Sequence, residues 1–299
     1  MLPFIFTLLI TITPYILAAL GELITERSGI LNLGVPGMMI FGAVCAAIAG
    51  VSTGSWLMAI LASMVGCMII ASVFAFVVLV LQANQVASGL ALTFLGSGLA
   101  ALLGKAYIGK PVPASYALPL GGNYNINILT IFTLILLIGL SLFLNKTRPG
   151  LVLRAVGENH NSAHSLGWPV IRIRLYAIWF GAAMAGLAGS TFVLVSSHSW
   201  SDGDITSGRG WIALALVVFS TWRVMRVLWG ALLFGGLDIL QLRLQDKIPD
   251  FLSHYINSYT LQAAPYIATI IVLVLISHNR MAVRMNTPAC LGKNFHASR

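Results

Sequence analysis

The side chains able to do chemistry are few in this sequence, and they are grouped. The densest group runs from Arg154 to Gly167 and holds Gly157, Glu158, Asn159, His160, Asn161, Ser162, Ala163, His164 and Ser165 between long apolar runs. Lys146, Arg148, Arg172 and Arg174 flank it. His160 and His164 stand four apart, a spacing that sets two imidazoles on one helix face and could hold a metal. No third ligand accompanies them, so no metal site is expected. No HExxH or GxSxG occurs, and no pair of intramembrane carboxylates stands out, which argues against an intramembrane hydrolase. No GxxxxGK[ST] loop occurs either, so no nucleotide site is expected in the chain itself. Cys45, Cys67 and Cys290 lack CxxC spacing and read as packing residues.

Four further stretches place polar groups in or beside apolar runs. In the first, Glu22, Glu26 and Arg27 precede Gly29, Asn32, Gly34, Pro36 and Gly37. This reads either as a backbone break lining a solute pathway or as a turn with a tightly packed helix start. In the second, Asn84, Gln85 and Ser88 lead into an apolar run. Amides both donate and accept, which suits hydroxyl or base edges; the alternative is hydrogen bonding between helices. The third runs from Thr206 through Arg209 and Trp211 at the mouth of a short apolar segment. The fourth is Asp238, with Gln241 and Arg243 on the next turn. An ionisable residue inside an apolar segment is paired or functional, and Asp238 is expected to pair with Arg209 or Arg243 in a structural role.

The elements that must position these groups are membrane helices. Of 299 residues, 58% are hydrophobic and 8% are charged, against about 25% charged in a soluble domain. Lipid must therefore be the main solvent, and the fold class expected is an all-α polytopic membrane protein. About twenty apolar residues span a bilayer. The candidate spans are roughly 2–20, 33–50, 56–81, 86–104, 126–144, 169–196, 210–221, 228–242 and 263–277, giving about eight crossings (7–10) in one transmembrane domain over 1–299. The pair 210–221 and 228–242 is short and glycine-punctuated, and reads as a broken or re-entrant element. The first span reads as a retained helix and not a cleaved signal. If the loops around 21–32, 145–174, 222–227 and 278–299 are cytoplasmic, they hold twelve Lys and Arg against five on the other side. That asymmetry puts the N-terminus outside and the C-terminus inside. The same excess accounts for the pI of about 9.8 without nucleic acid. The outer loop 105–125 is rich in Pro and Gly, and the outer loop 243–262 is amphipathic.

Within the polar centre, local chemistry predicts a short helix. The Asn159 side chain can cap its start, and Gly167 can end it in the left-handed conformation, with Pro169 preventing continuation. About seven helical residues are marginal alone. The segment is either an ordered loop or a helix seated on another surface.

Residues 21–39, 84–104, 148–167 and 206–245 together resemble the permease subunits of ATP-binding-cassette importers. The nearest branch is the one linked to basic-membrane-protein-type lipoproteins and nucleoside uptake, within the wider group of sugar and branched-chain amino-acid permeases. The matching segments are Arg27 to Met39, Gln85 to Leu92, Leu153 to Asn159, Gly208 to Ala215 and Leu240 to Gln245. The chain departs from the pattern at Pro36, where many relatives carry Glu, and after Asn159, where His160 replaces the usual Pro. The resemblance implies that residues 155–167 form a coupling helix docking on a cytoplasmic ATPase through Arg154, Gly157, Glu158, Asn159, Ser162, Ala163 and Gly167. It implies a substrate pathway near Asn32, Gly34, Pro36, Asn84, Gln85, Ser88, Arg209 and Trp211. It further implies a second permease subunit, like or unlike, an extracytoplasmic solute-binding lipoprotein, and location in a bacterial-type cytoplasmic membrane. No cofactor is expected on this chain; ATP and magnesium belong to the ATPase. The rival expectation is a stand-alone ion-coupled secondary transporter, for which Asp238 is the deep carboxylate.

Overall fold

The computed structural model describes residues 2–119, 125–201, 205–245 and 286–296, with 263, 267–271 and 274 between them. Among the described residues the regular elements are helices and one two-stranded antiparallel ribbon. In order, the elements are α1 (Leu2–Arg27), α2 (Val35–Thr53), α3 (Trp56–Ala75), α4 (Gln85–Gly104), β1 (Ala117–Pro119), β2 (Asn125–Asn127), α5 (Ile128–Lys146), α6 (Arg148–Glu158), α7 (His160–Ser165), α8 (Val170–Thr191), α9 (Arg209–Phe219) and α10 (Val224–Gln245). Single π-turns extend α3 to Val80 and α8 to Ser197. In the ribbon, Leu118 lies opposite Ile126.

Seven helices among the described residues are long and apolar enough to cross a membrane: α1, α2, α3, α4, α5, α8 and α10. The expected all-α polytopic class is met, with three differences in element limits. The first helix does not stop at residue 20 but continues to Arg27. Gly21 does not break it, because its bare face lies against Gly181 of α8. The helix ends where Gly29 takes a φ of +90°; its N–H bonds the Glu26 carbonyl and Ile30 bonds Thr25, a Schellman close. Secondly, α10 is a full-length helix of 22 residues, not a short one. Thirdly, α9 has 11 residues, or about 16 Å, so it crosses only half a bilayer and does not count as a crossing. The expected span 263–277 and the outer loop 243–262 lie largely outside the described residues.

Packing follows the small residues. With no hydrophobic drive between helices in lipid, close backbone approach must supply the contact. α2 lies between α4 and α8, where a Cβ on Gly37 would meet the backbone of Thr93 and one on Gly42 the backbone of Gly186. α2, α3, α4 and α8 share one buried apolar cluster. α1, α5, α9 and α10 share a second. The outer stripe of α3, Leu57, Leu61, Val65, Ile69 and Val73, is exposed, as befits a lipid-facing side.

Candidate functional site

The polar centre 148–167 forms an elbow of two helices. α6 starts on Thr147, whose Oγ1 accepts from the Gly150 N–H at 3.2 Å. Asn159 is extended, with φ −149° and ψ 95°, and so divides α6 from α7. Its Oδ1 accepts from the Ser162 N–H at 3.0 Å, and Gly167 closes the elbow with φ +86°. Thus the segment 155–167 is not one helix. It is the end of α6, a break at Asn159, and a six-residue α7. Gly157 is buried against the Arg27 carbonyl at the end of α1, with no room for a Cβ. Ala163 is buried, while Glu158, Asn159, Ser162 and Gly167 are exposed and Arg154 is half-buried.

A segment that sequence reasoning passed over ties this elbow to the rest. The Cys290 N–H donates to the Gly157 carbonyl at 2.9 Å and the Gly292 N–H to Gly29 at 3.2 Å. Buried Arg174 of α8 donates to the carbonyls of Ser28 and Lys293. Asn294 Oδ1 accepts from Gln85 Nε2 at 3.2 Å, and Asn294 Nδ2 donates to the Gln82 carbonyl. Phe295 meets the rings of both His160 and His164 edge-on, each at 5.3 Å. Residues 286–296 therefore clasp the α1–α2 turn, the start of α4, the elbow and α8. The histidine pair thus holds an aromatic ring; no cluster of three or more metal-binding side chains occurs among the described residues. His160 Nδ1 lies 3.2 Å from Arg174 Nη2, and because a guanidinium can only donate, that nitrogen accepts. Burial, then Arg174, Lys293 and His296, push the imidazole below its ordinary range.

Residues 28–34 fold back into the helix bundle. The Asn32 N–H donates to Glu22 Oε1 at 3.1 Å, and Asn32 Oδ1 accepts from Gly34 N at 2.9 Å. The Leu31 N–H donates to Gln85 Oε1 at 2.8 Å, and Thr93 donates to the Leu33 carbonyl. Glu22 and Glu26 are 1% and 3% exposed, so they are a buried carboxylate pair on α1 and not part of a loop. The sequence reading did not recognise them as deep, because it ended the first helix too early. Glu26 Oε2 accepts from the Trp222 indole at 2.5 Å, and Arg27 donates to the Trp222 carbonyl at 2.7 Å. These bonds hold Thr221 and Trp222 in the left-handed region, at φ 49° and 54°, which costs roughly 1–3 kcal/mol each for residues other than glycine.

Arg209 opens α9 and pairs with Asp238 at 3.3 Å; Tyr15 donates to the same carboxylate oxygen at 2.5 Å. The expected pairing with Arg209 is the one formed, while Arg243 lies over the Phe4 ring. Beside the pair is a cavity of about 330 Å³ lined by Thr11, Thr130, Thr191, Ser196 and Ser197 among others. Pro36 meets α9 at Gly210. The structure thus brings together Asn32, Gly34 and Gln85 at one crossing, and Pro36 with the start of α9. Asn84 caps α4 through the Ala87 N–H, Ser88 is half-buried, and Trp211 is 41% exposed.

A bundle of spanning helices, a half-length helix opening at a partly buried ion pair, and a polar elbow at one end define a polytopic membrane protein. Residues 4–277 match the family described as branched-chain amino acid transport system / permease component, and the chain belongs to that family. It is 34% identical to a Haloferax volcanii protein assigned as a glucose ABC transporter permease, over 95% of this chain and 94% of that one. It is 31% identical to the guanosine ABC transporter permease of Bacillus subtilis, over 89% of each. It is 30% identical to a nucleoside ABC transporter permease of Lactococcus lactis, over 90% of each. No solved structure matches the chain. The expected resemblance is met: the chain is a permease subunit of the ATP-binding-cassette importer kind.

Proposed function

We propose that this subunit passes nucleosides or related small polar solutes, sugars among them, across the cytoplasmic membrane, driven by a separate ATPase that docks on the α6–α7 elbow. ATP and magnesium are bound by that partner. An extracytoplasmic binding protein delivers the solute, and a second permease, like or unlike, completes the path. The N-terminus lies outside and the elbow inside, in line with the charge asymmetry. The observation that carries the reading is the wiring of the elbow: Gly157 is bonded through Cys290 to the segment that also grips Gly29 and Gln85. A movement of α6 and α7 would therefore reach the 28–39 turn and the start of α4 together. A partner drives such a movement only by binding the elbow differently in its two states. The cavity beside Arg209 and Asp238 is a candidate section of the solute path, together with Asn32, Gly34, Pro36, Gln85 and Trp211.

The stand-alone ion-coupled alternative would need a titratable carboxylate free to change partners. Glu26 is bonded to Trp222 and Asp238 to Tyr15 and Arg209, which favours structural roles for these two; Glu22 is bonded to the Asn32 N–H through one oxygen, and its Oε2 is buried without a partner among the described residues. The deciding experiment is co-purification of the tagged chain in mild detergent, followed by reconstitution and uptake of labelled guanosine and glucose. Recovery of an ATPase with ATP-dependent uptake supports the proposal. Uptake by the chain alone without ATP would reject it.

A further inference from the structure

The elbow end holds a concentration of positive charge that solute transport does not use. A cavity of about 360 Å³ lies between the end of α5, the middle of α6, the α9–α10 turn and Asn286. Its volume is in the range of small-ligand pockets, about 300–1,000 Å³. Arg27, Arg154 and Arg223 all line it, and no carboxylate does among the described residues. Arg27 is engaged by the Trp222 and Asn286 carbonyls. Arg223 reaches Asn286 Oδ1 at 3.4 Å, a long contact. Arg154 Nε is buried and has no hydrogen-bond partner among the described residues. A buried guanidinium nitrogen without an acceptor is costly, and three guanidinium groups around one cavity repel one another.

The described residues offer few means of neutralising them. The chain carries eight acidic residues in all. Glu22, Glu26 and Asp238 are bonded elsewhere; Glu158, exposed at the end of α6, approaches the Ala289 N–H and offsets part of the charge on Arg27 without lining the cavity. The backbone adds to the field. Val224 and Met225, the first residues of α10, line the same cavity, so the positive end of a 22-residue helix faces it. Ser141 and Asn145 contribute neutral polar groups, and Leu144 and Met225 an apolar wall.

We infer that this cavity is a binding site for a phosphate group, carried either on an anionic phospholipid or as free phosphate. Phosphate matches the fork of arginine donors. The apolar wall at the end of a spanning helix suits a lipid headgroup, because a membrane leaflet rich in anionic lipid concentrates such groups at this depth. Arg154 also stands among the residues expected to dock the ATPase, so the test is run without ATPase or solute and its outcome is read apart from the coupling role proposed for the elbow.

The test uses the full chain purified in detergent and offered equal phosphatidylglycerol and phosphatidylcholine. Retained lipid is read by native mass spectrometry, and a parallel titration with inorganic phosphate is read by thermal stabilisation. Wild type is expected to retain phosphatidylglycerol selectively or to be stabilised by phosphate; the first outcome identifies the lipid source and the second the soluble one. Arg154→Gln and Arg223→Gln should each weaken binding at least roughly tenfold, as loss of a hydrogen bond to a charged group implies. Arg172→Gln, on the exposed start of α8, should bind as wild type. Equal retention of both lipids with no phosphate effect would overturn the inference and leave the arginines as contacts for an acidic partner protein. Undiminished binding by a folded Arg154→Gln would overturn it as well.

Discussion

Trp222 shows how one residue can hold a turn that its own backbone disfavours. Its φ is 54°, yet its indole donates to Glu26 and its carbonyl accepts from Arg27. Trp222→Phe keeps an aromatic ring, though a smaller one, and strands a buried carboxylate oxygen, which costs about 1–3 kcal/mol; lowered thermal stability in detergent, with the oligomeric state unchanged, is the expected outcome. His160 makes a different prediction, in pH. Its imidazole is held below the ordinary range by burial first and then by Arg174, Lys293 and His296, so the folded state binds the proton less well than the unfolded state does. Its contribution is therefore complete above the unfolded value of about 6.5 and is lost as pH falls from there through the lower folded value. Protonation removes the acceptor facing Arg174 and places a cation beside it. Amide protection in residues 286–296, taken relative to the intrinsic exchange rate at each pH, should fall between pH 7.5 and pH 5.5, and His160→Gln should flatten that dependence. Neither role was legible in sequence. The histidine spacing pointed to a helix face, but its partner Phe295 is 135 residues away and announces itself by no pattern.

At the scale of elements, α9 is the part whose placement depends on charge. It is half the length of its neighbours, and it opens on Arg209 where Tyr15 of α1 and Asp238 of α10 meet. Removing one partner of a fully buried pair costs about 3–5 kcal/mol, whereas replacing both by apolar residues of similar volume is near neutral; here Asp238 is buried and Arg209 is partly exposed, so the cost is expected below that range. Asp238→Leu should therefore destabilise in detergent melts, and Arg209→Met with Asp238→Leu should recover most of the loss. Additive losses in the double variant would show that each residue acts separately. The half-length of α9 and the ion pair were legible from glycine punctuation and from the rarity of charge in the sequence. The extension of α1 to Arg27 was not, because Glu22 and Glu26 look like loop residues until their donors, the Asn32 N–H and the Trp222 indole, are placed. The elbow was half legible: the caps at Asn159 and Gly167 were readable, but Asn159 also terminates α6, and one residue serving two helices is hidden from a one-helix reading.

For the molecule as a whole, composition fixed the solvent and family pattern fixed the kind of machine, while the path of force through it depends on long-range contacts. Residues 286–296 link elements that span nearly the whole sequence, from Gly29 and Gln85 to Gly157, Arg174 and Arg223. A clasp of this kind can transmit motion only if its own bonds outlast the movement. Its anchors are backbone hydrogen bonds at 2.9 and 3.2 Å, the Asn294 side chain, and Phe295, which is buried. Truncation before Asn286 frees the elbow from α4 and the α1–α2 turn but leaves the seven spanning helices and their glycine crossings intact. The truncated chain is expected to insert and to bind its ATPase through the elbow, yet to hydrolyse ATP with little solute uptake. Phe295→Ala should show the same loss of coupling to a smaller degree, since it removes the ring seated on His160 and His164 and keeps the backbone bonds. The ratio of solute moved to ATP consumed in proteoliposomes is the measurement. A wild-type ratio in the truncated chain would make the clasp a static fastening, whereas a collapsed ratio with normal hydrolysis would identify it as the link between the elbow and the path.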